Sequence, residues 1–219
     1  MASALTTNSL RWAVVRLKEQ MALSVGELNE LDGALGDGDL GVNLMHAAER
    51  LAEDLPNLPD DVGMALLRCA QAFTRVSAST YGTLLATGLM SAAKAVKGRT
   101  QVPWAEIPAL LGGALQAMSD RGKGQLGDKT VLDAVEAARC ATAGLDNSAA
   151  MGREAGRAIA DAIVQLRDVP FRQGRARIFG SKGIGRDDPG MVAFQRIVES
   201  LSSCCHLAVE AVRSESKFG

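Results

Sequence analysis

The sequence predicts an all-α fold, an up-and-down bundle of antiparallel helices, on three observations. Alanine, leucine and methionine are abundant, while aromatic residues make up only 4% of the 219 residues; this balance favours helix over sheet. Apolar residues recur at helical spacing, as at Leu10, Val14, Leu17 and Met21. No stretch alternates apolar and polar residues as a half-buried strand would.

Nine helical segments are expected, beginning near residues 7, 24, 41, 60, 80, 103, 129, 148 and 189. Ser24 with Glu27 three residues later forms a capping-box pattern that starts the second. Asp60, Asp128 and Asp188 are candidate N-caps for the fourth, seventh and ninth, and Pro189 suits a first helical position. The other starts rest on apolar periodicity resuming after a turn-forming stretch.

This order has a geometric consequence. Successive helices of an up-and-down bundle run antiparallel, so every second helix begins at the same end. The third, fifth, seventh and ninth segments follow the loops 36–41, 76–79, 122–128 and 180–188, which hold most of the unusual Gly, Ser, Asp and Lys runs. Four helix starts on one rim would present unpaired N–H groups and positive dipole ends, an arrangement suited to phosphate.

Composition narrows the function. A net charge of −1 gives no general surface for nucleic acid, and no apolar run approaches the length of a membrane span. The N-terminal stretch lacks a basic start followed by an apolar core. Cys69, Cys140, Cys204 and Cys205 form no Cys-x-x-Cys pair, so reduced thiols in a cytoplasm are expected.

The most informative stretch is Leu31-Asp-Gly-Ala-Leu-Gly-Asp-Gly-Asp-Leu-Gly-Val-Asn43. It places Asp32, Asp37 and Asp39 within eight residues, and carboxylates this close repel unless a cation or solvent compensates. Hard oxygen ligands on a flexible loop are what magnesium or calcium selects. The three aspartates are therefore a candidate divalent-metal site.

Three familiar motifs fail in this context. Gly36-x-Gly38-x-x-Gly41 matches a dinucleotide fingerprint, but it follows a helical pattern rather than a strand. Gly122 to Thr130 resembles a Walker loop with one residue too many before Lys129, again after a helix. An EF-hand beginning at Asp37 would put Val42 at the glycine position and Ala48 at the closing glutamate. His46 and His206 are expected to be surface or satisfied side chains, and no zinc set or Ser/His/Asp triad is visible. The basic, glycine-rich stretch from Arg172 to Asp187 reads as a lid over the site.

Four motifs in order resemble one family, the ATP-binding L subunit of dihydroxyacetone kinase. They are the aspartate stretch ending at Asn43, Ser77-x-x-x-Tyr-Gly-Thr83, Arg121-Gly-Lys-x-x-x-Gly-Asp-Lys-Thr130, and Gly174-Arg-Ala-x-x-x-Gly-x-x-x-Ile-Gly-x-x-Asp-Pro-Gly190. The resemblance runs from about Leu28 to past Gly190 and implies an antiparallel eight-helix barrel with a nucleotide site at one end, one L-type domain over residues 1–219. One of the nine segments would then be a split or a short helix.

By resemblance, Asp32, Asp37 and Asp39 hold two magnesium ions that bridge the phosphates of ATP or ADP. Leu40, Gly41, Asn43 and Ser77 would lie against those phosphates. Gly122, Thr130, Arg175, Asp188, Pro189 and Gly190 would line the nucleotide and its lid. The family's acceptor, a three- or four-carbon ketose, sits on a separate K-type subunit, and in one branch a phosphotransferase-system protein recharges a held ADP. A homodimer is left open.

The chain also departs from the family. Leu40 stands where a histidine is usual, Arg75-Val-Ser-Ala-Ser-Thr-Tyr-Gly82 replaces a glycine-rich loop, and Arg177 and Lys182-Gly183 replace a Ser and an Arg-Ser pair. These departures leave two other readings: a non-catalytic nucleotide-binding regulatory partner, or an L-like kinase with another acceptor.

Overall fold

In the computed structural model, residues 4–76, 79–173, 177 and 183–202 are described. Eight α-helices occur among them: α1 (Thr7–Gly33), α2 (Leu40–Glu53), α3 (Val62–Val76), α4 (Thr80–Ala95), α5 (Ile107–Gly122), α6 (Val131–Thr142), α7 (Ser148–Leu166) and α8 (Pro189–Ser202). Each helix packs on its neighbours in sequence, and α8 returns to α1. The ring therefore closes into a barrel in which helices adjacent in sequence pack side by side, the arrangement of an up-and-down antiparallel bundle.

The expected split at Ser24 does not occur. Ser24 is buried within α1, and its hydroxyl accepts from Gln20 Nε2 at 3.1 Å, one turn back in the same helix. Glu27 does not fold back to cap a new helix. It takes a two-pronged ion pair from Arg196 of α8 at 2.7 and 2.9 Å, which fastens the closing seam. One 27-residue helix replaces two segments, and nine become eight.

Other starts move by a few residues for local reasons. Asp61, not Asp60, caps α3: its carboxylate accepts from Met64 N at 3.0 Å and from Gly98 N at 2.8 Å. A 3-10 turn at Trp104–Glu106 precedes α5. Thr130 caps α6, two residues beyond Asp128. Asp188 does cap α8, accepting from Met191 N at 2.8 Å.

The sequence offered no strand, yet β1 (Ala4–Thr6) pairs antiparallel with β2 (Gln101–Pro103) in the register Leu5↔Val102. Three residues are too few for an alternating pattern to declare itself. The pair covers a small apolar cluster of Val62, Leu66, Ala93, Val96 and Val102, near the α3 start and the α4 end.

The main core fills the barrel with Leu28, Leu44, Ala48, Ala70, Phe73, Ala134, Ile159, Met191 and Ala193, all buried. Burying a leucine- or phenylalanine-sized side chain contributes roughly 1.5–3 kcal/mol. The alanines let eight helices approach closely around one axis. No helix among the described residues is long and apolar enough to cross a membrane.

Candidate metal centre

The even-numbered helices begin together, as the alternation of direction requires. Asn43 of α2 and Tyr81 of α4 line one cavity of about 10 Å³. A Cβ placed on Gly190 of α8 would lie 3.2 Å from the Tyr81 ring. The α6 start joins them through Lys129, whose ammonium reaches the segment leading into α8.

Asp32 lies in the last turn of α1, and the chain turns back through Gly36 and Gly38 to Asp39 at the head of α2. This turn brings Asp32, Asp37 and Asp39 together, each offering an oxygen within 4.8 Å of the others. Two carboxylates at that range repel by roughly 1 kcal/mol in bulk water and more where water is excluded. The fold therefore holds a deliberate concentration of negative charge.

Asp32 also builds the loop. Its Oδ2 accepts from Gly38 N at 2.9 Å and from Asp39 N at 3.1 Å. Those bonds fix its carboxylate through one oxygen, and Oδ1 lies beside Gly36, 3.0 Å from where a Cβ there would sit. Asp39 occupies the N-cap position of α2 but makes no side-chain capping bond.

The cap comes instead from Asn29 of α1, whose Oδ1 accepts from Gly41 N at 2.8 Å and Val42 N at 3.2 Å. Gly41 is what permits this approach, since a Cβ there would lie 2.5 Å from the Val25 carbonyl. Relieved of capping, Asp39 keeps its carboxylate for other use. Half-exposed to exposed oxygen donors of one sign fit a hard divalent cation and do not fit a bare anion.

The remaining expected residues fall at distinct places. Gly41 and Asn43 lie in the first turn of α2. Leu40 is 6% exposed and packed into the core, so only its backbone can serve the rim. Gly122 is exposed at the end of α5. The Thr130 hydroxyl is engaged in its own cap with Leu132 N, at 3.2 Å. Asp188, Pro189 and Gly190 open α8. Ser77 and Arg175 lie outside the described residues, as does His206. His46 is exposed on α2 and takes no part in the aspartate cluster.

Sequence reading missed four residues here. Asn29 acts twelve residues from its partner and carries no local signature. Asp133 completes a capping box with Thr130, accepting from Thr130 N at 2.8 Å and Gly127 N at 2.6 Å; the Thr-x-x-Asp spacing could have revealed it. Tyr81 has a buried hydroxyl without a partner among the described residues, as does the Asn43 side-chain amide. Lys129 of the Walker-like run is buried and does not face the rim as a free cation.

Burial sets the electrostatics around α8. It pushes the Asp188 carboxyl up to about 7, with Asp133 adding to the rise and the Met191 amide and Lys129 opposing it. Burial also raises the Tyr81 phenol well above its usual range. The same cause lowers the Lys129 ammonium, against the pull of Asp188, Asp187 and Asp168.

A family model described as the DAK2 domain matches residues 34–203. The chain belongs to the DAK2 domain family. It is similar to the Escherichia coli "PEP-dependent dihydroxyacetone kinase, ADP-binding subunit DhaL", with 28% identity over 80% of this chain and 86% of that one. It is 30% identical to the "L-erythrulose 1-kinase" of Mycolicibacterium smegmatis over 80% of its own length and 32% of the relative. Among solved structures, the dihydroxyacetone kinase of C. freundii in complex with AMP-PNP and Mg2+ superposes with a TM-score of 0.71 at 21% identity, over 89% of this chain and 33% of that one. The chain thus spans about a third of these longer kinases, and its eight-helix barrel shares its fold with the matching part of that solved structure.

Proposed function

We propose that this chain is the magnesium- and nucleotide-binding part of a kinase for three- or four-carbon ketoses, acting as one L-type domain over residues 1–219. The phosphoryl group would pass to a substrate held on a separate K-type chain. The observation that carries this reading is the meeting of three carboxylates within 4.8 Å beside four helix starts. The positive dipole ends of helices attract phosphate, whereas carboxylates repel it, and a divalent cation between them reconciles the two.

The names of the relatives support the same reading. The E. coli protein is an ADP-binding kinase subunit, the M. smegmatis protein a kinase of a four-carbon ketose, and the C. freundii kinase was crystallised with AMP-PNP and Mg2+.

Asp32, Asp37 and Asp39 would hold the metal. Magnesium supplies charge neutralisation on the phosphate oxygens when bound. The protein's own part is alignment, since phosphoryl transfer needs positioning more than covalent help. The Asp32 bonds to Gly38 and Asp39 hold the loop in shape. The Asn29 cap fixes the angle at which α2 enters the rim. The Gly41 and Asn43 turn, the Thr130 cap and the Asp188-Pro189-Gly190 start then set the walls of the site.

Leu40 favours a second reading, a nucleotide-binding regulatory partner without turnover. Its side chain is buried where the family carries a histidine, so one polar contact to phosphate is missing.

Calorimetry with ATP and ADP, with and without magnesium, tests the binding step. Phosphorylation of dihydroxyacetone and erythrulose with the K-type partner present tests transfer. The expected result is magnesium-dependent binding followed by turnover. Binding without turnover in the presence of that partner selects the regulatory reading. ADP that survives gel filtration and is recharged only by a phosphotransferase-system protein selects the held-ADP donor over exchangeable ATP.

A further inference from the structure

Lys129 is a buried cation for which the metal and nucleotide reading has no use. It is 1% exposed, on a backbone at φ +60°, a left-handed conformation that L-residues other than glycine rarely adopt. Its ammonium donates to three main-chain carbonyls: Arg167 at 2.7 Å, Val169 at 2.9 Å and Gly183 at 3.3 Å. The Phe171 ring covers it, with the ring centroid 4.3 Å away.

The positions of those carbonyls matter. Arg167 and Val169 lie where the chain leaves α7, and Gly183 lies where it returns towards α8. One ammonium thus gathers both ends of the long connection into a neck. Gly185 N also donates to Arg167 O at 3.0 Å. From the solvent side, Arg167 grips Asp187 at 2.7 and 2.9 Å. Gly183 lies against Phe171 so closely that a Cβ would collide with the ring.

The same residue is tied to the rim. Lys129 immediately precedes Thr130, the N-cap of α6, and Gly183 lies five residues before Asp188, the N-cap of α8. A buried cation on three carbonyls has few alternative geometries, because moving any of them leaves polar groups unpaired. We infer that Lys129 is a positioning residue: without touching nucleotide, it closes the neck of the α7–α8 connection and fixes the α6 and α8 starts relative to each other, so that nucleotide binding depends on it.

This inference rests on the nucleotide reading above, and the two can fail separately. The test compares wild type with Lys129→Met, Arg167→Ala and Val62→Ala, using calorimetry with ADP and magnesium and amide hydrogen exchange without ligand. Val62→Ala weakens the apolar cluster beside the β1–β2 pair and controls for general loss of stability.

The expected result is at least a tenfold loss of ADP affinity in Lys129→Met, with faster exchange confined to residues 167–173 and 183–190 and the α6 start. Val62→Ala should keep wild-type affinity. Should Lys129→Met fail to fold, Arg167→Ala, which disturbs only an exposed pair, should still speed exchange at Gly185 and weaken ADP binding by a few fold. Unchanged affinity and exchange in whichever of the two variants folds overturns the inference, as does an affinity loss that Val62→Ala matches. If wild type itself binds no nucleotide, the nucleotide reading falls and with it the claim on affinity, while exchange in the same variants still decides whether Lys129 holds the neck.

Discussion

Asn29 Oδ1 on α1 accepts the amide protons of Gly41 and Val42 on α2, at 2.8 and 3.2 Å. The helix that carries the aspartate loop is thereby capped from a neighbouring helix, and Asp39 at the N-cap position is left uncommitted. Replacing Asn29 with alanine removes the cap and should cost about 1 kcal/mol of stability. It should also weaken magnesium-dependent nucleotide binding, because Asp39 or water must then satisfy the α2 amides. Urea denaturation and calorimetry on Asn29→Ala check both; unchanged affinity would separate the cap from the site.

Asp32 and Asp39 should respond differently to loss of charge. Asp32 supports the loop through Gly38 and Asp39 amides, whereas Asp39 adds repulsion without capping its helix. Asp39→Asn should leave metal-free stability within about 0.5 kcal/mol of wild type or raise it. Asp32→Ala should destabilise by about 1–3 kcal/mol, since two amides lose their acceptor. Both should weaken magnesium binding at least tenfold. Thermal melts in chelator and in excess magnesium distinguish the two roles; equal metal-free melting temperatures would contradict the division.

Tyr81 buries a hydroxyl that has no partner among the described residues. An unsatisfied buried donor costs stability, and removing it relieves the cost. Tyr81→Phe should therefore stabilise the free protein by about 1 kcal/mol. A loss of that size in urea denaturation would mean that the hydroxyl is bonded in solution.

Legibility in the sequence followed the separation between interacting residues. The aspartate cluster was readable because Asp32, Asp37 and Asp39 are neighbours in the chain, and the convergence of helix starts followed from counting directions. Dropping one segment before Gly41 left that parity intact, because it merged two segments yet kept the later starts on one rim. The merging itself was hidden, since Ser24 and Glu27 spell a capping box while Gln20 and Arg196 hold them elsewhere. Asn29 and Lys129 were invisible for the same reason. One works across 12 positions and the other across 38 to 54, and short-range patterns carry no trace of either. The pairing of Leu5 with Val102 also joins distant parts of the chain.

Close helix approach gives a paired test on two glycines. A Cβ on Gly41 would meet the Val25 carbonyl at 2.5 Å and Asn29 Oδ1 at 2.9 Å, whereas one on Gly26 meets nothing within 4 Å. Gly26→Ala lies inside α1 and should stabilise by about 0.5–1 kcal/mol through helix propensity. Gly41→Ala must push α2 away from α1, at a cost of about 1–3 kcal/mol, and should distort the aspartate loop. Similar denaturation midpoints for the two variants would argue against the tight α1–α2 contact.

Asp188 supplies the pH dependence. An unfolded aspartate releases its proton near 3.9, whereas burial holds the folded Asp188 proton until about 7. Between those values the folded chain binds more protons than the unfolded chain, so this group's contribution to stability falls as pH rises. At about 1.4 kcal/mol per pKa unit, the loss between pH 5 and pH 8 amounts to about 2.6 kcal/mol. Asp188→Asn keeps an oxygen for the Met191 amide but cannot ionise, so it should lose none of this. Its stability relative to wild type should therefore be more favourable at pH 8 than at pH 5. Urea midpoints of both proteins at the two pH values measure the difference directly. A constant difference would mean that Asp188 ionises in the fold as readily as in the open chain, and that solvent reaches the α8 start.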